Sequence, residues 1–179
     1  MRYVLPVMCF LFFCCDCFAQ ADVDSLHWHR DRRLTWNDFT GEPDDEPIFG
    51  ARTFTSIKYK LLDRDTACNV QVRCIFLKKV SWTQPQHATE YALLHEQIHF
   101  DISELFARKL RQAYCRYKYN RQTVNADVAE IFSRICAEKT KFNRQYDKET
   151  CHSLHKMKQL EWTNKISDML DQLSEFESR

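Results

Sequence analysis

The chain has 179 residues, 44% of them hydrophobic and 28% charged, enough for one ordinary globular domain and its core but too few for two. Lysine and arginine number 26 against 25 aspartate and glutamate. That balance excludes the basic field of a nucleic-acid binder and an acidic tail.

The first twenty residues, MRYVLPVMCFLFFCCDCFAQ, place Arg2 before an apolar run from Tyr3 to Cys15, then small or polar residues at Ala19, Gln20 and Ala21. This is the layout of a secretory signal. Residues 1–20 are expected to be removed, leaving residues 21–179 as a single exported domain, periplasmic or extracellular. The run is shorter than the roughly 20 apolar residues of a membrane-spanning helix, and no later stretch reaches that length, so no stable span is expected after signal removal. A lipid anchor on Cys14, Cys15 or Cys17 is disfavoured, because Phe13, Cys14 and Asp16 are poor residues to precede a lipidated cysteine. Of nine cysteines, the signal takes four. Cys68, Cys74, Cys115, Cys136 and Cys151 remain, an odd number with no Cys-x-x-Cys pair, which argues against a cysteine zinc ribbon. Cys68 and Cys74 lie too far apart along an extended strand to bridge each other.

Both glycines, Gly41 and Gly50, fall in or beside FTGEPDDEPIFG, which reads as a long turn. In ARTFTSIKYKL, Ala51, Thr53, Thr55, Ile57, Tyr59 and Leu61 alternate with polar residues. In NVQVRCIFL, Val70, Val72, Cys74 and Phe76 do the same. The period of two predicts two strands joined as a hairpin through DRDTACN.

Beyond Pro85 there is neither glycine nor proline, and the period changes to three and four. Ala92, Leu93, His95, Glu96, His99, Ile102, Leu105, Phe106 and Leu110 form one helical stripe. Val124, Val128, Ile131, Ile135 and Phe142 form a second. Leu154, Met157, Trp162, Ile166, Met169 and Leu173 form a third. YDKETCHSLH carries the break before it, with Asp147 and Thr150 as caps. The expected fold class is α+β: a small antiparallel N-terminal sheet followed by a helical C-terminal half.

The first stripe contains His95-Glu96-Gln97-Ile98-His99. Positions i and i+4 lie on one helix face, so both imidazoles can reach one ion, while Glu96, about 100° around from His95, can take a proton from a water there without being a ligand. The competing reading is an amphipathic helix whose histidines are merely hydrogen bonded. A catalytic zinc needs a third protein ligand. Asp101 and Glu104 lie roughly 200° and 140° around from His99 and face away, with Glu104 spaced for an i,i+4 pair with Arg108. His152, His155, Glu130 and Glu138 remain as distant candidates.

LTWNDFTGEP, ARTFTSI, SWTQP, LLHEQIHFDISELFARKL and YDKETCHS followed by Gln159 and Trp162 resemble, in order along nearly all of the mature chain, the bacterial family catalogued as domain of unknown function 922, predicted secreted zinc-dependent proteases. The family's late segment commonly reads tyrosine, aspartate, then threonine, a variable residue, histidine and glycine. The resemblance therefore implies His152 as the third ligand of Zn2+ beside His95 and His99, although Ser153 stands where the glycine is expected. It also implies a zincin-like fold with a sheet edge over the active helix. Tyr146 becomes a candidate donor to an oxyanion, against the alternative that its ring packs beneath the site; His155 is read as a surface residue.

The expected function is a zinc metalloprotease acting on peptide or protein substrates, with Glu96 as general base and substrate added along an exposed edge near Cys74 to Lys79. The alternatives are a non-catalytic metal-containing binding module and a hydrolase of a non-peptide cell-envelope amide. Oligomeric state stays open.

Overall fold

The computed structural model describes residues 24–43, 50–62 and 69–178. The expected signal at 1–20, Cys68 and most of the expected hairpin turn lie outside the described residues. The expected α+β class is observed: a small antiparallel sheet precedes three helices.

Strand β1 covers Ser25–His27, β2 Ala51–Arg52, β3 Thr55–Leu61, β4 Val70–Leu77 and β5 Trp82–Thr83. β3 and β4 pair antiparallel with Ile57 opposite Cys74 and Tyr59 opposite Val72, as the two alternating runs predict. Their inward residues Ile57, Val72, Cys74 and Phe76 are buried.

Two expectations are corrected. The run from Ala51 to Leu61 is not one strand, because Ala51 and Arg52 pair with β5 in a separate two-stranded sheet. The interruption falls at Thr53 and Phe54, where the buried Ser81 hydroxyl accepts the Phe54 N–H at 2.9 Å in place of a ladder carbonyl. Nor is Cys74 to Lys79 an exposed edge. β4 is the central strand in the order β1-β4-β3, with β1 covering its second side from Ser25 opposite Leu77 to His27 opposite Ile75. Periodicity shows which face of a strand is buried and is silent on which edges are paired.

Helix α1 spans Glu90–Arg116, α2 Val124–Thr150 and α3 Lys156–Gln172. Thr89 caps α1 through its hydroxyl, which accepts the Ala92 N–H at 3.1 Å. α1 packs against β3 and β4 on one side and against α2 and α3 on the other, which is why its middle has no exposed face. Phe76 meets Phe39 and Phe100 at ring separations of 5.1 and 5.8 Å. Phe106, Phe142, Trp162 and Tyr146 continue the aromatic core between the helices.

The third stripe is only partly inward. Trp162 and Ile166 are buried, but Met157 is 64% exposed and Leu154, before the helix begins, 82%. Gln159 takes the inward position of the first turns instead, at 1% exposure, for a reason that lies in the site.

The rear and far end of α1 hold its remaining polar groups. Asp101 accepts from Trp28 Nε1 and Gln97 Nε2, both at 2.8 Å, and Gln97 Oε1 accepts the Leu34 N–H at 2.7 Å. Further along, Glu104 and Arg108 form the expected i,i+4 pair, but inside the protein, at 1% and 0% side-chain exposure. Arg111 joins Glu104 at 2.8 Å and donates to the carbonyls of Val72 and Phe176. Arg108 donates to the Leu170 carbonyl at 2.8 Å and stands 2.8 Å from Glu177 as an ion pair. Glu104 thus neutralises one buried and one partly buried guanidinium group at the junction of α1, β4 and the C-terminal turn. Replacing it by methionine (Glu104→Met) leaves both without it, and a loss of about 3–5 kcal/mol is expected in chemical denaturation.

Candidate metal centre

His95 and His99 lie on the face of α1 that meets α2 and line a cleft of about 1160 Å³. The cleft is bounded on the sheet side by residues 50–55 and on the helical side by α2 and the turn before α3. Gly50 closes the sheet side tightly: a Cβ there would lie 2.5 Å from the Cβ of His87, so only glycine lets the strand approach so near.

Both imidazoles are oriented by carboxamides. His95 Nδ1 is 3.2 Å from Gln159 Oε1, while Gln159 Nε2 donates to the Tyr91 carbonyl at 3.2 Å. His99 Nδ1 is 2.8 Å from Asn143 Oδ1, while Asn143 Nδ2 donates to the Lys139 carbonyl at 3.3 Å. Each amide is held oxygen-inward by its second bond, so Nδ1 of each histidine is the donor and Nε2 points the other way. This is the work that places Gln159 inward on α3.

The two Nε2 atoms meet at Asp147. Its Oδ1 is 3.4 Å from His95 Nε2 and 2.9 Å from His99 Nε2. These three ligand atoms lie within 4.8 Å of one another, the one group of three or more metal-ligating side chains found among the described residues. Asp147 is one α2 turn beyond Asn143, so a single helix face supplies both the third candidate ligand, a carboxylate, and the group that turns His99.

The sequence reading is corrected here. It treats Asp147 as a cap, but Asp147 is interior to α2, which continues to Thr150, and Thr150 donates its hydroxyl to the Tyr146 carbonyl instead of capping α3. His155, not Asp147 or Thr150, caps α3. His152, expected as the third ligand, stands beside the cluster: its Nδ1 is 3.9 Å from Asp147 Oδ1 and its side chain is 53% exposed.

The reason lies in the turn. Cys151, His152 and Ser153 all have positive φ, at 48°, 51° and 74°, and this left-handed stretch carries His152 outward from the helix end. Ser153 occupies a conformation that glycine adopts without penalty.

Tyr146 is fully buried. Its ring stacks on His95 at 4.6 Å and meets His99 edge-on at 5.0 Å, and its hydroxyl donates to the His95 carbonyl at 3.3 Å. Burial, then the nearby carboxylates of Glu96 and Asp147, push the phenol well above its ordinary range. It is a supporting plate beneath both imidazoles, and the packing alternative describes it better than the oxyanion role.

Glu96 is buried on the cleft wall next to His95. Tyr91, one turn before His95, also lines the cleft, and its buried hydroxyl has no hydrogen-bond partner among the described residues. No sequence signal marks Tyr91, because its spacing from His95 is also that of an ordinary core stripe.

Burial alone would lower the His99 pKa. The hydrogen bond to Asp147, the charge of Glu96 and the bond to Asn143 outweigh it, raising the value from 6.5 to about 8. For Asp147, burial favours the neutral acid, but the hydrogen bonds from His95 and His99 hold its carboxyl well below the usual carboxylate range. The geometry suits a divalent cation: two imidazole nitrogens and one carboxylate oxygen converge, with the other imidazole nitrogens bonded behind them.

No protein family, curated protein or solved structure matches this chain.

In chelator, the ion pair of His99 and Asp147 has a definite pH window. The raised His99 pKa contributes stability that is complete below its ordinary value of 6.5 and is lost as pH rises through about 8. The depressed Asp147 pKa contributes stability present above its ordinary 3.8 and lost in acid. Unfolding of the metal-free protein is expected to cost about 2 kcal/mol more at pH 6 than at pH 9 on account of His99. Asp147→Asn should remove most of that slope. Separately, Ser153→Gly should raise stability by about 1 kcal/mol in the same assay.

Proposed function

We propose that the protein is an exported zinc-dependent hydrolase of peptide bonds, with the metal held by His95, His99 and Asp147. The observation that carries this reading is the convergence of three oriented ligand atoms beside a buried glutamate that immediately follows the first histidine. The packing of a small sheet against the motif helix, with residues 50–55 bordering the cleft, supports a zincin-like relationship. Export rests on the pattern of residues 1–20. Among the described residues no helix is long and apolar enough to cross a membrane.

Bound at this site, zinc supplies Lewis-acid chemistry, polarising a carbonyl and making water nucleophilic near neutral pH. The remaining work belongs to the chain. Glu96, held in the cleft wall by its backbone position on α1, accepts a proton at its carboxylate and returns it to the leaving amine. Gln159 and Asn143 keep Nε2 of each histidine aimed inward, and Tyr146 fixes the plane of His95 from below. The Tyr91 hydroxyl, without a hydrogen-bond partner among the described residues, is the donor at hand for a substrate carbonyl, the role the sequence reading gives to Tyr146. An extended substrate fits along Ala51 to Thr55, the segment from β2 to the start of β3 that lines the cleft, in place of the covered β4 edge.

The metal content of the purified mature chain tests the centre. About one zinc per wild-type chain is expected; Asp147→Ala should lose it with an unchanged circular-dichroism spectrum, whereas His152→Ala should keep it. Glu96→Gln should retain zinc while cleavage of a denatured protein substrate falls by roughly 10²–10⁴-fold. Zinc bound by wild type with cleavage of neither protein nor envelope-derived amides would reject the hydrolase reading in favour of a metal-containing binding module.

A further inference from the structure

The charged residues lining the cleft, apart from Glu96 and Asp147, are cations: Arg52, Lys139, Arg144 and Lys156 among the described residues. Lys139 is set apart by its depth. It is half-buried on the inner wall of α2, whereas the other three are exposed. Its ammonium carries three donors, yet the groups beside it are the Thr55 and Ser103 hydroxyls, each at 3.4 Å. Those hydroxyls are already hydrogen bonded to each other. Among the described residues no carboxylate forms an ion pair with it, and burial lowers its pKa.

Its position relative to the metal centre follows from the two helices. Ser103 is one turn beyond His99 on α1, Lys139 is one turn before Asn143 on α2, and Asn143 holds His99. The ammonium therefore sits about one helical turn, ~6 Å, along the cleft from His99. An extended chain covers that distance in about two residues.

A desolvated cation that faces a binding cleft without a counter-charge is stabilised when a ligand brings an anion. We propose that Lys139, with the Thr55 hydroxyl, anchors a substrate carboxylate within two residues of the bond presented at His99, so that the site selects acidic peptides. The location rests on the hydrolase reading; the binding does not require turnover. The carboxylate has two sources, the C-terminus of a peptide or an aspartate or glutamate side chain within it.

The test is equilibrium binding to the zinc-treated mature protein of three probes: acetyl-trialanine with a free C-terminus, its C-terminal amide, and acetyl-Ala-Asp-Ala amide. At least one carboxylate probe is expected to bind roughly tenfold more tightly than the neutral amide. Which of them does so identifies the source. Lys139→Met should abolish the preference with zinc content unchanged, and Lys139→Arg should keep it, which guards against loss of fold in the methionine variant.

Equal affinities in wild type, no binding of any probe, or a preference that survives in Lys139→Met, as when the carboxylate goes to the metal, would each overturn the anchor. Cleavage indifferent to the probe's charge would leave the hydrolase reading standing without it. A Lys139-dependent preference with cleavage of no probe or protein would keep the anchor and reject the hydrolase.

Discussion

Everything in this fold answers to the burial of α1. A helix enclosed between a sheet and two other helices would ordinarily be apolar all round, yet α1 buries His95, Glu96, Gln97, Asp101, Ser103, Glu104 and Arg108 along its length. A desolvated polar group left without a partner costs about 1–3 kcal/mol, so the surrounding elements must supply partners at defined points. They do so from three directions. The segment after β1 sends Trp28 and the Leu34 amide to Asp101 and Gln97 behind the helix. β4 and the C-terminal turn offer Val72 and Phe176 carbonyls to Arg111 at the far end. α2 and α3 send Asn143, Asp147 and Gln159 to the histidines in front.

The three groups of contacts differ in what they leave unused. Behind the helix and at its far end the bonds run from one protein group to another, and their effect is to lock the helix in place. In front, the pattern stops one step short. Nδ1 of each histidine is bonded outward, and both Nε2 atoms are gathered on a single carboxylate oxygen. In the absence of a cation that arrangement is held by a proton on His99, which is why its imidazole is drawn up to about 8. A metal and that proton compete for the same nitrogen lone pair, so the residues that favour one also favour the other.

The sequence made the fold readable wherever a single periodicity decided the outcome. The β3–β4 pairing and the three helices follow from alternation and from the long stretch without glycine or proline. His95 and His99 are legible because their four-residue spacing is itself a statement about one helix face. What could not be read is contact between separate elements. Asp147 sits in a run of charged residues, DKETC, and nothing local distinguishes a carboxylate that meets two histidines from a cap. Ser153 gave a hint that the turn differs from a glycine-bearing one, but the outward swing of His152 depends on three successive left-handed residues, which no composition rule anticipates. Gln159 is the most instructive miss. It occupies an inward position where the apolar stripe predicts Met157, because a buried histidine needs an acceptor more than the core needs another apolar side chain.

The interlocking of α1 with residues 159–177 bears on how the centre comes into being. His95 is aimed by Gln159, and the far end of the same helix is tied down by Leu170, Phe176 and Glu177 through Arg108 and Arg111. A growing chain that has produced the HEQIH segment has none of these partners. The aim of His95 is therefore a late product of biosynthesis, set only after the third helix has docked, whereas His99 is turned by Asn143 as soon as α2 packs against α1.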